Sequence, residues 1–572
     1  MNIGSPIRRP VAGSQKIRLI LVIALTLLGA VVRIAFQKGR SFTGDEVGTL
    51  IFMGCSPRYL LTHYGIWVSM NYYILGLKVL ADVFGRNPWV LTAPSLLANV
   101  AAIPLTYLVG KRFAPPGVAA MAAAIIAFNP YVIEFAPIIR AYSIHLSFTL
   151  LCVLLYLRWR DARTWRRGCA IALASLLMCL NHMVGIYTVA AICILEVACL
   201  ARDFKSRGVR AIDARWSLLI PMIGVIAVLA ISVSLYYPEL KLTNAEYTCP
   251  RPGNVSYLVP MFALYFGGEY AGFFYSILLL GGVVAVVQQR LVRLEAAAFI
   301  VAPVVLMVLQ GVAHLPGAFA RFDIGMLPYL ALLIAAGISF IAGWLPSGIG
   351  PWAGGAMCAI VLAGCGAPEL IAMQREKSEK PWARVQKYLA ATIQPGDEVV
   401  GSIVDVIAVA GPFLETRSPL AGDIPQINSS PSGMAAITGP NSFRDSPVAL
   451  FTMPLFVALP DSAVVSHKVY FITSDAKIHS GAPQHREGKI TVCVYSGSKT
   501  EILNKMASDL AATTDNRTEP KMISYYLMLQ VLSNQLGRPV DAEHYRAMAL
   551  DCVLRMEQKE RRLPYSMPGV YG

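Results

Sequence analysis

The chain has 572 residues, of which 56% are hydrophobic and only 15% are charged, and its mean hydropathy is +0.55. This composition excludes a soluble globular protein of ordinary type and indicates a polytopic membrane protein. The formal net charge of +15 does not indicate a nucleic acid partner, because the basic residues gather in short segments between apolar runs. In such segments they act as an orientation signal.

The first apolar run covers residues 17–36. It is long and lacks an obvious small-residue cleavage site, so it predicts an uncleaved membrane anchor rather than a signal peptide. Because basic residues precede a span on its cytoplasmic side, we expect the N-terminus in the cytoplasm. The basic residues at this position are Arg8, Arg9, Lys16 and Arg18.

Residues 37–89 form a predicted outer loop, and the tripeptide Gly44-Asp45-Glu46 lies near its start. Adjacent carboxylates at a membrane surface can carry out proton chemistry or bind a cation, although such a pair is more often only part of a solvated loop. Residues 70–84 are too short to cross the membrane comfortably and contain Lys78 and Asp82. They predict an interfacial helix on the outer surface.

Further apolar runs bring the predicted number of crossings to eleven. Five Lys or Arg residues lie in residues 158–167 and five more in residues 202–215. We place these segments in the cytoplasm, which leaves the chain outside after the last crossing. The later crossings are predicted at residues 90–110, 115–134, 141–158, 168–181, 183–200, 217–237, 271–288, 294–313, 324–343 and 352–372.

The eleven cysteines include no CxxC motif and no Cys/His spacing that suits zinc, and most of them lie inside apolar runs. They are predicted to be small core residues. Cys55 and Cys249 both fall in predicted outer segments. A disulfide between them is left open, because the sequence does not establish their proximity.

The composition changes after residue 373, which predicts two domains, 1–373 in the membrane and 374–572 outside it. The second domain opens with a predicted helix, a turn and a strand, which is the start of an α/β unit. A helical pair near its end resembles a tetratricopeptide hairpin. The predicted elements are a helix at 381–393, strands at 398–400, 468–473 and 489–495, and helices at 524–536 and 541–556.

An ordered series of short motifs runs through the first third of the chain. It comprises Gly44-Asp45-Glu46, Asn71-Tyr72-Tyr73, Pro94-Ser95-Leu96, Ile103-Pro104-Leu105, Gly110-Lys111-Arg112, Asn129-Pro130 and Arg140-Ala141-Tyr142-Ser143, with a weaker extension over residues 321–328. The series resembles the GT-C superfamily of membrane glycosyltransferases, especially bacterial proteins similar to dolichyl-phosphate-mannose protein mannosyltransferases and lipid A aminoarabinose transferases. No single motif is specific to this superfamily. Their ordered succession at the right membrane depth is specific to it.

The resemblance implies that a sugar passes from a polyprenyl-phosphate carrier to an acceptor hydroxyl on a lipid, glycan or protein, with inversion at the anomeric carbon. By position Asp45 would be the general base. Glu46 would orient Asp45 or the acceptor, or raise the pKa of Asp45 through the proximity of two like charges. No cofactor is implied. Asp45 and Glu46 alone supply few ligands for a cation, although a role for a divalent metal stays open.

The leaving phosphate gains negative charge as the glycosidic bond breaks, so cations held near the membrane surface would accelerate the step. Arg140 matches the arginine of the family pattern and is the first candidate for binding this phosphate, followed by Arg321 and Lys78. For each arginine, snorkelling toward lipid headgroups is an equal alternative.

Sugar or acceptor contacts are predicted for Tyr142, His182 and Tyr72, although helix packing or an interfacial position would also explain these residue types. Two departures from the family pattern leave the sugar and the acceptor open. Residues 137–139 precede the arginine where the family often has a polar pair, and residues 70–71 replace common prolines.

Two other classes of function remain as alternatives. A flippase or transporter of polyprenyl-linked glycans would need a charged path, often with repeats or broken helices, and the sequence has no internal symmetry. An envelope-assembly scaffold would leave the ordered motifs unexplained. We therefore predict a mainly α-helical, multi-pass enzyme of the bacterial inner membrane with a periplasmic C-terminal α/β domain.

Overall fold

The structure is a computed structural model that describes most of the membrane region and the framework of the C-terminal region. The described residues are 12–37, 42, 44–53, 57–62, 70–85, 88–182, 184–207, 215–246, 265–266, 268–289, 294–312, 324–346, 349–393, 398–402, 454–458, 468–473, 484–487, 490–497, 499–513, 526, 528–529, 533 and 538–562. Arg321, Cys55 and Cys249 lie outside them, so the predictions made for these residues stay untested.

The described part of the membrane region is built from helices. In chain order they are α1 (Ala12–Gln37), α2 (Gly44–Phe52), α3 (Pro57–Thr62), α4 (Asn71–Phe84), α5 (Pro88–Phe113), α6 (Pro116–Phe128), α7 (Pro130–Phe135), α8 (Tyr142–Asp161), α9 (Trp165–Asn181), α10 (Gly185–Arg207), α11 (Trp216–Glu246), α12 (Gly268–Gln289), α13 (Ala298–Val312), α14 (Leu327–Ala342), α15 (Gly350–Val361) and α16 (Ala367–Glu379). A 3-10 turn precedes α13, and a π-helical turn joins α15 to α16.

Within the described residues, six helical segments are long and apolar enough to cross a membrane. They are Lys16–Gln37, Pro88–Phe113, Tyr142–Asp161, Gly185–Phe204, Ile324–Ala342 and Trp352–Glu376, and the shorter apolar helices are Pro116–Phe128, Trp216–Ile231, Ala271–Val287 and Glu295–Leu306. Together with α9, these segments coincide with the predicted crossings. The prediction of a polytopic helical membrane domain is confirmed.

The predicted crossing at residues 115–134 is interrupted at Asn129. Pro130 disfavours helical backbone at the residue before it, and Asn129 is accordingly extended, with φ −67° and ψ 122°. Its side chain accepts a hydrogen bond from the Val132 N–H at 2.9 Å and so caps α7. The interruption leaves carbonyl groups at the end of α6 without their helical donors.

Close helix packing inside the bundle depends on glycine where α12 and α14 cross. A Cβ atom at Gly337 would lie 1.9 Å from the Leu278 carbonyl oxygen, and one at Gly282 would lie 2.0 Å from the Leu333 carbonyl oxygen. Only hydrogen fits at these two positions. Small residues of this kind let the backbones of membrane helices approach each other directly.

The described elements of the C-terminal region form an α/β unit, as predicted. After α17 (Pro381–Thr392) come β1 (Glu398–Ser402), β2 (Pro454–Ala458), β3 (Lys468–Thr473), β4 (Gln484–Glu487), β5 (Ile490–Ser496), α18 (Lys499–Thr513) and α19 (Pro539–Arg562). The described strands form one sheet in the order β2-β1-β3-β5-β4, in which only the β1–β3 pair is parallel. One face of the sheet packs against α18. This core contains Val469 and Phe471 of β3 together with Ile502 and Met506 of α18.

The predicted strand at 468–473 matches β3, and the predicted helix at 381–393 matches α17 within one residue. β2 and β4, which lie at the two edges of the sheet, were not predicted. β4 is short and polar, so its sequence carries no apolar alternation. The first helix of the predicted hairpin lies mostly outside the described residues, and the boundary at residue 373 stays a prediction.

Candidate active site

The site is built around the segment that joins α7 to α8 and carries Arg140. We call residues 136–141 the arginine segment. Its backbone is compact, with the Arg140 N–H donating to the Ile138 carbonyl at 2.7 Å. Arg140 is 2% exposed although it is charged. A buried guanidinium at the end of a membrane helix is a functional hypothesis by default.

The acidic tripeptide docks directly on the arginine segment. α2 begins at Gly44, and Glu46, fully buried in its first turn, accepts a hydrogen bond through Oε1 from the Ile139 N–H at 2.9 Å. Asp45 is its chain neighbour in the same helical turn; its side chain lies outside the description. The structure therefore brings the acid-bearing turn and the arginine together across more than ninety residues of sequence.

Helix α4 and the residue before it contact the same segment. The Arg140 guanidinium donates through Nη1 to the Met70 sulfur, with 3.7 Å between the atoms. The Tyr73 hydroxyl lies 3.2 Å from the Ser95 Oγ, which in turn donates to the Arg140 carbonyl at 2.9 Å. α4 and α5 thus hold both the side chain and the backbone of Arg140.

The Tyr73 hydroxyl is fully enclosed in this arrangement. Burial raises the pKa of Tyr73 well above its ordinary value; the charges of Glu46 and Arg140 act on it in opposite directions. Tyr73 therefore stays protonated at any physiological pH. It acts in the site as a neutral hydrogen-bonding group.

Tyr142 and His182 lie beside the arginine segment and are both buried. The Tyr142 ring packs edge-on against Phe135 at a centroid distance of 5.2 Å and lies 5.8 Å from the His182 ring. His182 accepts a hydrogen bond at Nδ1 from the Val184 N–H at 3.3 Å, and its ring is 5.4 Å from that of His145. Sugar contacts by Tyr142 and His182 stay predictions.

Two more of the predicted residues, Lys78 and Tyr72, lie on α4. The Lys78 ammonium donates to the Met53 carbonyl at 3.0 Å, where it caps the C-terminal end of α2. Tyr72 is only half-buried, and its neighbour Tyr73 is the tyrosine that reaches Ser95. Lys78 therefore stabilises the helix that carries the acids, and a direct role of Lys78 in phosphate binding stays a prediction.

The sequence interpretation gave no role to Tyr73, Ser95, Asn99 or Arg33. Tyr73 and Ser95 belong to motifs of the ordered series, so the series itself was the available signal. Arg33 lies inside the first apolar run, where a charged side chain is costly and usually marks function or a specific buried contact. The position of Arg33 in the sequence is a signal of this kind.

Among the described residues, no group of three His, Cys, Asp or Glu side chains is arranged to hold a metal ion. The buried acid at the site, Glu46, already accepts a backbone hydrogen bond.

No family model matches the chain, and no curated protein matches it. Among solved structures, ArnT from Cupriavidus metallidurans in the apo state aligns with a TM-score of 0.50 at 10% identity, covering 84% of this chain and 98% of that one. The same protein bound to undecaprenyl phosphate aligns with a TM-score of 0.49 at 11% identity, with 85% and 98% covered. The Archaeoglobus fulgidus oligosaccharyltransferase AglB, in complex with an inhibitory peptide and a dolichol-phosphate, gives 0.40 at 12% identity, with 67% and 59% covered.

ArnT is a lipid A aminoarabinose transferase, and ArnT and AglB both belong to the GT-C superfamily. The likeness to apo ArnT extends over nearly the whole of that chain, so it includes the membrane helices and the region that follows them. At this identity the likeness concerns the fold. The chain therefore shares the fold of ArnT.

Proposed function

We propose that the chain is an inverting membrane glycosyltransferase that moves a sugar from a polyprenyl-phosphate donor to an acceptor hydroxyl at the periplasmic face of the bacterial inner membrane. The observation that carries the proposal is the hydrogen bond of 2.9 Å between Glu46 and the Ile139 N–H, since it joins the acid-bearing turn to the arginine segment. The fold supports the same class of enzyme.

In the proposed reaction, the Asp45 carboxylate takes the proton of the acceptor hydroxyl as its oxygen attacks the anomeric carbon. The bond between that carbon and the donor phosphate oxygen breaks, and its electron pair leaves with the polyprenyl phosphate. The Arg140 guanidinium offsets the growing charge on this phosphate. Attack opposite the leaving group inverts the anomeric configuration.

Glu46 has a supporting role in this proposal. Its side chain is fully buried and bonded to the backbone of the arginine segment, so it fixes the first turn of α2 relative to Arg140. A base must lie within hydrogen-bond reach of the proton it removes, which makes such anchoring valuable. Glu46 therefore positions Asp45 instead of accepting the proton itself.

The orientation of the site is also part of the proposal. α8 has 20 residues and spans about 30 Å, with Arg140 just before its first residue and the basic segment 158–167 at its other end. Because basic segments favour the cytoplasmic side, the Arg140 end faces the periplasm. Activated sugars reach that compartment on lipid carriers, which fits a polyprenyl-phosphate donor.

The proposal is tested with the purified full chain in lipid nanodiscs, supplied with undecaprenyl-phosphate-linked pentoses and hexoses and with envelope lipids, glycans and proteins as acceptors. The measurement is acceptor-dependent release of undecaprenyl phosphate. Asp45→Asn is expected to bind the donor and fold as wild type but to lose release. Asp82→Asn is the matched control, since Asp82 is an exposed acid on α4.

Full release by Asp45→Asn would contradict the assignment of the base. Movement of the lipid-linked sugar across the bilayer, with no transfer to any acceptor, would favour the flippase. Binding of envelope components with neither transfer nor translocation would favour the scaffold.

A further inference from the structure

The starting observation is a charged side chain in the interior of the membrane domain. Arg33 on α1 is fully buried, and it donates through Nη1 to the Ala127 carbonyl at 2.7 Å and through Nη2 to the Ile126 carbonyl at 3.1 Å. Pro130 has no N–H to offer to Ile126, and the break at Asn129 removes the next helical donor as well. The guanidinium therefore replaces the backbone donors missing between α6 and α7.

The same guanidinium orients the side-chain amide of Asn99 on α5. Arg33 donates through Nε to Asn99 Oδ1 at 2.6 Å. Because an arginine can only donate, this contact fixes which end of the amide is oxygen and leaves the amide nitrogen pointing the other way. Asn99 Nδ2 then donates to the Val132 carbonyl and to the Ser143 Oγ, both at 2.9 Å.

The network continues to both ends of the segment that carries Arg140. The Ser143 hydroxyl donates to the Phe135 carbonyl at 2.8 Å, which ties the start of α8 to the end of α7. Ser95 lies four residues before Asn99 on the same face of α5 and donates to the Arg140 carbonyl at 2.9 Å. Arg33, Asn99, Ser95 and Ser143 are all fully buried.

From these contacts we propose that Arg33, Asn99 and Ser95 are positioning residues that set the place of the Arg140 guanidinium. The inference rests on the proposed function, in which Arg140 binds the donor phosphate. None of the three needs to touch substrate. Ser95 bonds the Arg140 carbonyl directly, Asn99 acts through Val132 and Ser143, and Arg33 acts through Asn99. If these residues only packed the helices, apolar side chains would do so at a lower cost in free energy, since buried polar groups in a membrane are costly.

The consequence is a site whose arginine is fixed before substrate arrives. Catalytic groups need to be held within about 0.5 Å of their productive place, and the surrounding hydrogen bonds supply this precision. A displacement of about 1 Å can cost about a hundredfold in rate. Loss of Ser95 or Asn99 is therefore expected to alter phosphate binding and turnover even though Arg140 itself is unchanged.

The test measures the affinity of the purified full chain in nanodiscs for undecaprenyl phosphate, the carrier without a sugar. Ser95→Ala and Asn99→Ala are expected to weaken this affinity about tenfold or more, and Ser95→Thr, which keeps the hydroxyl, to retain it. In an Arg140→Gln background, Ser95→Ala and Asn99→Ala are expected to have no further effect. Thr106→Ala is the matched control, since Thr106 is a buried residue of α5 whose hydroxyl donates to the Ala102 carbonyl of its own helix.

Several outcomes would overturn the inference. If Arg140→Gln weakens binding while Ser95→Ala and Asn99→Ala bind as wild type, the positioning role is wrong and the proposed function stands. If their effects add to that of Arg140→Gln, the residues act independently of it. If Arg140→Gln itself binds the carrier as wild type, the assignment of the phosphate site fails, and the inference fails with it. Should Asn99→Ala not fold, Ser95→Ala decides alone, because it removes a single hydroxyl.

Discussion

The two ends of α8 use buried charge in opposite ways. At the end near Asp161, Arg215 is 2% exposed and lies 3.1 Å from a Glu196 carboxylate oxygen and 2.9 Å from an Asp203 carboxylate oxygen. The second Glu196 oxygen accepts from the Tyr156 hydroxyl at 2.6 Å. The buried charges of this network therefore meet other side chains, and the network links α8, α10 and the start of α11.

At the Arg140 end, polar side chains instead hold the main chain. Glu46 accepts from a backbone N–H, while Ser95 donates to a backbone carbonyl, so both fix the course of the arginine segment. A closed network of side chains mainly holds helices together. Polar side chains that bind the backbone of an irregular segment are what a preformed site requires. The difference predicts that substitutions at one end change activity and at the other change stability.

The largest effect is expected for Arg140→Gln, which removes the charge near the leaving phosphate while keeping a polar side chain. We expect the transfer rate to fall by about 10²- to 10³-fold, as for the loss of one preorganised transition-state contact. Steady-state release of undecaprenyl phosphate measures it. Arg158→Gln, an exposed arginine at the other end of α8, is the control and should keep full activity.

Arg215→Gln probes the other end. Removing this guanidinium leaves the carboxylates of Glu196 and Asp203 without their buried partner, and we expect a loss of about 3–5 kcal/mol in the free energy of unfolding. Denaturant unfolding in detergent measures the loss, while turnover per folded molecule should be unchanged. Arg202→Gln is the control, because the Arg202 side chain is 72% exposed. A large change in turnover for Arg215→Gln would break the comparison.

Glu46 allows the two kinds of effect to be separated at one position. Glu46→Ala leaves the buried Ile139 N–H without its acceptor, which costs about 1–3 kcal/mol, whereas Glu46→Gln keeps an acceptor oxygen. If Glu46 only positions the first turn of α2, Glu46→Gln should fold and retain most of its turnover. Loss of turnover in Glu46→Gln, with folding intact, would instead make Glu46 the base.

The smallest effect is expected for the ion pair between Arg112 and Asp161, which is exposed at the Asp161 end. Exposed pairs contribute about 0–1 kcal/mol, because water screens them and the side chains lose freedom. Arg112→Gln should therefore shift the unfolding free energy by less than about 1 kcal/mol and leave turnover unchanged. A shift as large as that of Arg215→Gln would show that burial does not explain how much these ion pairs contribute to stability.

Much of the architecture could be predicted from the sequence, because length and apolar composition decide which segments cross a membrane. The strand at 468–473 was found for a similar reason, since its buried β-branched and aromatic residues are unmistakable. The break in the helix at Asn129 lies inside an apolar run, and apolar composition alone does not reveal it. The Asn-Pro dipeptide is the local signal for such a break. The polar edge strand β4 has no pattern that sequence reasoning can detect.

The roles of single side chains were harder to predict than the spans. Sequence order places Tyr72 and Tyr73 together, yet helical geometry turns one of them toward Ser95 and leaves the other half-exposed. Lys78 has the charge to bind phosphate, but its ammonium reaches a carbonyl at the end of α2. Such outcomes depend on which helices become neighbours, and the sequence alone does not determine those distances.

The account is tested most directly by measuring undecaprenyl phosphate binding and sugar transfer side by side for wild type, Asp45→Asn and Arg140→Gln. We expect Asp45→Asn to bind the carrier as wild type with its transfer lowered by about 10²- to 10⁴-fold, because only the proton acceptor is lost. We expect Arg140→Gln to lose both binding and transfer. Wild-type transfer by Asp45→Asn, or wild-type carrier binding by Arg140→Gln, would contradict the assignment of one site made by the acid-bearing turn and the arginine segment.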